Sequence, residues 1–187
     1  MKGMKVLTRK GLAANGSITS TSVLVYMALH DDDTLRFSGK RMDRITDWVV
    51  QRSAFINHDP GKLIACREQI TRHGLDYQLE QDFIQVLLKG LGYTGKEEYT
   101  GAREGAEAAY TLIFLALHEL YGLGMQRLQR IQRRIKSYAW FIREGATHIF
   151  QYMKCLEQEC GQQYKALQSY EEEYGELKIY ESEEDHD

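Results

Sequence analysis

Residues 23 to 30, VLVYMALH, return as residues 111 to 118, TLIFLALH, and the triplet Ala28-Leu29-His30 is matched identically by Ala116-Leu117-His118. After a turn that is two residues shorter in the second copy, Arg41-Met42 answer Arg127-Leu128, Arg44 answers Arg130 and Ile45 answers Ile131. Phe55-Ile56 then answer Phe141-Ile142, and Ile64 and Ile70 stand opposite Phe150 and Leu156. A register held this long predicts an internal duplication, and duplication constrains the fold more than any single motif does. Each copy reads as three helices: the first very apolar, the second basic on one face, the third closing the group. Two such units can bury their apolar first helices together about a pseudo-twofold axis, as a homodimer joined by a linker would. The expected fold is therefore all-α, with three-helix units at 18–74 and 103–174, a partly helical linker at 75–102, and an acidic tail at 175–187.

Helix throughout is plausible because little interrupts it. Pro60 is the single proline in 187 residues, and Leu, Gln, Glu, Lys and Arg are abundant. With 43% hydrophobic residues the chain can build one substantial core. Residues 1–17 read as an irregular arm with Gly3, Gly11 and Gly16 as breakers, and Ser17 and Thr19 to Ser22 as helix caps before Val23. Asp31 to Asp33 stop that helix. A second is expected over 40–57 with Met42, Ile45, Val49 and Ile56 as its seam, and a third from Pro60 to about His73, ended by Gly74. In the linker, Phe83, Val86 and Leu87 share one side of a short helix over 79–88. Helices are then expected over 103–121, 125–142 and 146–174, the last bending at Gly161 and carrying Ile149, Met153, Leu156, Tyr164 and Leu167.

The helix over 125–142 carries the most suggestive charge. Met125, Leu128, Ile131, Ile135 and Ile142 form an apolar stripe, and Arg127, Arg130 and Arg134 form a row on another side with Arg133 and Lys136 beside it. No acid lies between Tyr121 and Phe141. Such a helix offers a surface for phosphates or for an acidic protein patch, although a cationic face that is simply solvated needs no partner. The first copy keeps Arg41 and Arg44 but dilutes them with Asp43 and Asp47. Residues 171–187 hold nine acids against Lys178, a net of −8; with −3 for the whole chain, residues 1–170 carry +5. The tail can keep the protein soluble, compete for a basic groove, or fold back on the arginine row.

Three cysteines without secretory context suit a reducing cytosol, and no 18-residue apolar run is evident, so a cytoplasmic protein without membrane association is expected. Catalysis finds little support. His118-Glu119 lacks the second histidine of a HExxH site, because Gly122 stands there. GLGYTGK at 90–96 lacks the spacing of a phosphate-binding loop, and Cys155 and Cys160 lack a second cysteine pair for zinc. His30 before three aspartates reads as a helix end rather than a metal site. No enzyme activity, cofactor or metal is expected. A helix-turn-helix reading is permitted by the Gly122–Gly124 turn, but Gln126, Gln129 and Gln132 are the only evident base-reading side chains on an arginine-dominated helix.

The segment LIFLALHELYGLGMQRLQRIQRRI, residues 112–135, resembles small helical proteins of phages and mobile elements in gut Firmicutes, where an ALxxxYGxGxxRLxR pattern opens a compact helical unit. The likeness covers about a quarter of the chain, and the first copy departs from it at Asp32 to Phe37. It implies a context rather than a site: duplicated proteins of this size and charge in that setting look like anti-CRISPR inhibitors of Cas9-type nucleases. The resemblance thus implies stoichiometric binding to a host protein or ribonucleoprotein complex. The alternative expectation is a DNA- or RNA-binding regulator using the helix 125–142. Homodimerisation fits either expectation.

Overall fold

A helix that is apolar on every side has to be surrounded, and two helices here meet that description. They are α1 (Arg9–His30) and α5 (Lys96–Tyr121), in which Val23 to Leu29 and Leu112 to Leu117 are all buried. The structure, a computed structural model, describes residues 8–56, 59–72, 81–90, 92 and 94–179. The other described helices are α2 (Gly39–Ile56), α3 (Pro60–Arg72), α4 (Gln81–Gly90), α6 (Met125–Arg143), α7 (Ile149–Cys160) and α8 (Lys165–Tyr174). The fold is all-α.

α1 and α5 run parallel, since Gly101 abuts Lys10 and Gly105 abuts Ala14 one turn further on. A Cβ on Gly105 would lie 2.3 Å from the carbonyl oxygen of Ala14, so only glycine lets the backbones come this close. Across the same crossing, the Ser17 hydroxyl donates to the carbonyl of Ala102 at 2.6 Å. Counted back along the repeat, Ala14 matches Ala102 and Ser17 matches Gly105. The contact is reciprocal.

The remaining helices lean on this pair in an exchanged order. Apart from α5, α1 packs most extensively on α6 and α7, whereas α5 packs on α2 and α3. α4 packs on α5, α1 and α6, and α8 packs on α7. Buried residues from every described helix therefore join one continuous core.

Several sequence-based boundaries shift. The expected arm at 1–17 is helical from Arg9, with Thr8 as N-cap accepting from the Gly11 amide at 3.2 Å. Ser17, Ser20 and Thr21, expected as caps, lie buried inside the helix. At Ser17, packing against Gly105 and the bond to Ala102 outweigh the local capping preference. α5 begins at Lys96 rather than 103, taking in the end of the expected linker. The expected long helix over 146–174 is two helices, because Gly161 has φ 70° and closes α7 instead of bending it. The Gly161 amide donates to Glu157 and the Gln162 amide to Leu156. Gly122, at φ 63°, closes α5 in the same way. The expected stop at Gly74, the first residues of the 79–88 helix and the tail beyond residue 179 lie outside the described residues.

By length and composition α1 also passes for a membrane span, with an 18-residue window of mean hydropathy 1.3, contrary to the expectation of no such stretch. Ser17, Thr19, Ser20 and Thr21 interrupt its apolar character in the sequence without lowering the average enough. In this fold 61% of that window is buried.

Candidate partner-binding surface

The arginine row of α6 meets its counter-charges in the turn that ends α1. Asp31 is the C-cap of α1, and Asp32, 1% exposed, turns inward. Asp32 Oδ1 accepts from the Thr34 amide at 3.0 Å, the Thr34 hydroxyl at 2.7 Å and the Leu35 amide at 3.2 Å. Arg130 closes on the same carboxylate, Nε 2.8 Å from Oδ2 and a terminal nitrogen donating to Oδ1 at 3.0 Å. Arg134 donates to the Asp31 carbonyl at 2.9 Å, and Tyr138 donates to the Asp31 carboxylate. Burial alone would raise the pKa of Asp32; Thr34, Arg130 and Arg134 outweigh it and hold the group below the ordinary carboxylate value. Burial, reinforced by the bond to Asp31, pushes the Tyr138 hydroxyl upward.

The seven cations singled out in the sequence thus fall into three groups. Arg130 and Arg134 tie α6 to the end of α1. Arg41 and Arg44 are exposed at the start of α2 and lie against rings, Arg41 5.3 Å from the centre of Phe37 and Arg44 5.9 Å from that of Tyr121. Tyr121 in turn donates to the Arg41 carbonyl at 3.1 Å. Arg127, Arg133 and Lys136 are exposed on α6. Arg133 and Lys136 share a helix face with Trp140, which is 49% exposed, and the ring of Phe141 lies 5.2 Å from that of Trp140.

Sequence reasoning placed the two repeated histidines at helix ends, and they behave alike. His30 Nδ1 lies 3.3 Å from the carbonyl of Phe37, and His118 Nδ1 lies 3.2 Å from that of Leu123. It did not anticipate what His30 does with its other nitrogen. Nε2 meets Glu159 Oε2 at 2.5 Å, and the Cys160 thiol stands 3.4 Å from Nδ1. Cysteine, histidine and glutamate in that order suggest a nucleophile, but the chemistry does not follow. A ring donating from Nδ1 to Phe37 has no lone pair there to take the thiol proton, and burial with the neighbouring Glu159 and Asp31 raises the Cys160 pKa. The group is a latch between the ends of α1 and α7.

Also unforeseen is Lys154, buried on α7, with Nζ 3.1 Å from Glu157, 3.0 Å from Glu171 on α8 and 3.9 Å from Glu176. Glu176, at the start of the acidic tail, thus lies near this lysine. Among the described residues no group of three or more His, Cys, Asp or Glu is arranged to hold a metal ion. A groove of about 610 Å³ opens beside α1, floored by Ile113 and walled by Ile18, Val49, Val50, Phe150 and Tyr164.

No family model matches the chain, and neither the curated proteins nor the solved structures contain a significant match to it.

Proposed function

We propose that this chain is a non-enzymatic binding protein that holds an anionic partner against the outer face of α6. Arg133, Lys136 and Trp140 carry the reading: two cations and a half-exposed indole on one rigid helix face are the residue types that anchor interfaces. Arg127 extends the charge toward the start of the helix, and Arg41 and Arg44, exposed on α2, offer a second cationic patch. Arg130 and Arg134 support this face from behind by fixing α6 to α1.

The partner class we favour is a host nucleic-acid-handling complex, a Cas9-type nuclease most concretely, inhibited by stoichiometric binding in the cytoplasm. Phage or mobile-element origin is part of that proposal. We also read the architecture as a pseudo-twofold duplication. The reciprocal Ala14–Gly105 and Ser17–Ala102 contacts, the exchanged packing of α6–α7 and α2–α3, and the matched histidine bonds support it.

The test is capture of a Cas9 ribonucleoprotein by tagged protein, with and without nuclease treatment, repeated with Arg133→Glu and Trp140→Ala. Nuclease-resistant capture weakened by both substitutions is expected. Direct binding to DNA or RNA alone, falling steeply with salt, would replace this reading with a nucleic-acid-binding regulator whose Trp140 stacks on bases.

A further inference from the structure

α4 shows what one side of the α1–α5 pair requires. This ten-residue helix buries Phe83, Ile84, Val86, Leu87 and Leu88 in a site made by α5, α1 and α6. Exchanging the two copies turns those walls into α1, α5 and α2. Those three helices line the groove of about 610 Å³, together with α7, residues 162–164 and the first two residues of α8, Lys165 and Ala166. The related site on one side of the molecule is filled by a helix of the chain itself; on the other, among the described residues, only the start of α8 reaches it.

The chain's own candidate for the open side does not fill it. α8 follows α7 as α4 follows α3, yet it packs on α7 and buries only Leu167 among its residues. Its sequence, KALQSYEEEY, has too few apolar side chains to replace the five that α4 supplies. The groove meanwhile leaves Ile18 39% and Val50 59% exposed at its edge. Among the described residues that line it, Lys165 alone is charged, so an acidic group on the occupant's polar edge is the complement this rim accepts.

We infer that this groove is a docking site for an amphipathic helix of a partner protein, about three turns long, apolar along one side in the manner of α4 and acidic at its polar edge. Helix-in-groove recognition uses anchors at such spacings, and a groove of this volume suits them. The inference rests on the pseudo-twofold reading and is independent of the α6 surface.

The experiment uses the full chain and a fluorescein-labelled, helix-stabilised synthetic peptide with the sequence of residues 81–90. Fluorescence polarisation should show saturable one-to-one binding, weakened about tenfold or more by Val50→Glu and by Ile18→Glu, both rim positions whose exposure spares the fold. Ile64→Glu, exposed outside the groove, should leave binding unchanged. Glutamates added at the peptide ends should tighten binding to the wild-type chain and not to Lys165→Glu. Absence of saturable binding, or binding indifferent to both rim substitutions, overturns the inference. Self-association in sedimentation velocity that Val50→Glu abolishes overturns it in favour of a second copy as occupant. The pseudo-twofold reading fails separately, if in an experimental structure no half-turn carries α1–α3 onto α5–α7.

Discussion

Arg130 and Asp32 lie 98 residues apart in sequence and meet through two contacts, Nε to Oδ2 at 2.8 Å and a terminal nitrogen to Oδ1 at 3.0 Å. The carboxylate is 1% exposed and the guanidinium 37%, so the pair is half in and half out of water. Arg130→Met would leave a buried charge held by Thr34, Leu35 and the longer contact to Arg134 at 3.8 Å. It should cost about 2–3 kcal/mol, below the loss typical of a fully buried pair because solvent screens the arginine. Asp32→Asn with Arg130→Met should cost less than the two single changes summed, measured by urea denaturation of all four proteins. Because the native pKa of Asp32 is depressed, its contribution is present above the ordinary carboxylate value and is lost as pH falls through the native one.

This pair shows where the sequence was legible and where it was not. The periodicity of residues 125–142 matches α6 almost to the residue, and Leu128, Ile131 and Ile135 of the expected stripe are buried; Ile142 is half-buried and Met125, at the first turn, is 47% exposed. What the arginines face depends on a turn almost a hundred residues away, and no local pattern reports that. The same holds at Ser17, whose hydroxyl imitates a cap until Ala102 and Gly105 of another helix are placed beside it. Gly161 was recognised as a disturbance, but whether a glycine bends a helix or ends it is decided by φ, which composition does not encode. The repeated ALH was the most informative signal: α1 ends at His30 with a right-handed Asp31 as its cap and α5 three residues past His118 with a left-handed Gly122, yet Nδ1 of each histidine meets a carbonyl of the turn that follows.

A latch at His30 should make stability depend on pH. Burial alone would lower its pKa, but the bond to Glu159, the Phe37 carbonyl and the charges of Glu159 and Asp31 outweigh it and raise the value above that of an unfolded histidine. A group with a raised native pKa contributes stability that is fully present below its unfolded pKa and lost as pH rises through the native one. The midpoint of urea unfolding should therefore fall as pH rises from about the ordinary histidine value through the raised native one. Glu159→Gln should flatten that slope. An unchanged slope in Glu159→Gln would mean that another group is titrating.

The close crossing of α1 and α5 predicts an asymmetric response to a single methyl group. Gly105→Ala would place a Cβ 2.3 Å from the Ala14 carbonyl and 2.7 Å from the Ser17 hydroxyl, both within the core of the molecule. The helices must separate, and a cost of about 1–3 kcal/mol is expected, as for overpacking elsewhere. Gly124→Ala, where nothing lies within 4 Å of the added carbon, should change stability by less than about 1 kcal/mol. Thermal unfolding of the two variants provides the comparison.

The ammonium of Lys154 organises the end of the described chain. It lies 3.0 Å from Glu171, whose Oε1 also accepts from the Leu177 amide at 3.0 Å, so one lysine fixes α8 and the segment that follows it. The hydrogen bond to Glu171, then that to Glu157, raises the lysine pKa against its burial, and Lys154 is charged throughout the neutral range. Lys154→Met keeps the length and most of the apolar stem while removing the charge that gathers the acids. Amide exchange at residues 175–179 should then accelerate by about tenfold or more, with α1 and α5 unaffected, since local opening rather than global unfolding governs a chain end. If residues 175–179 exchange no faster in Lys154→Met, Leu177 is held by its apolar contacts with the core rather than by the lysine.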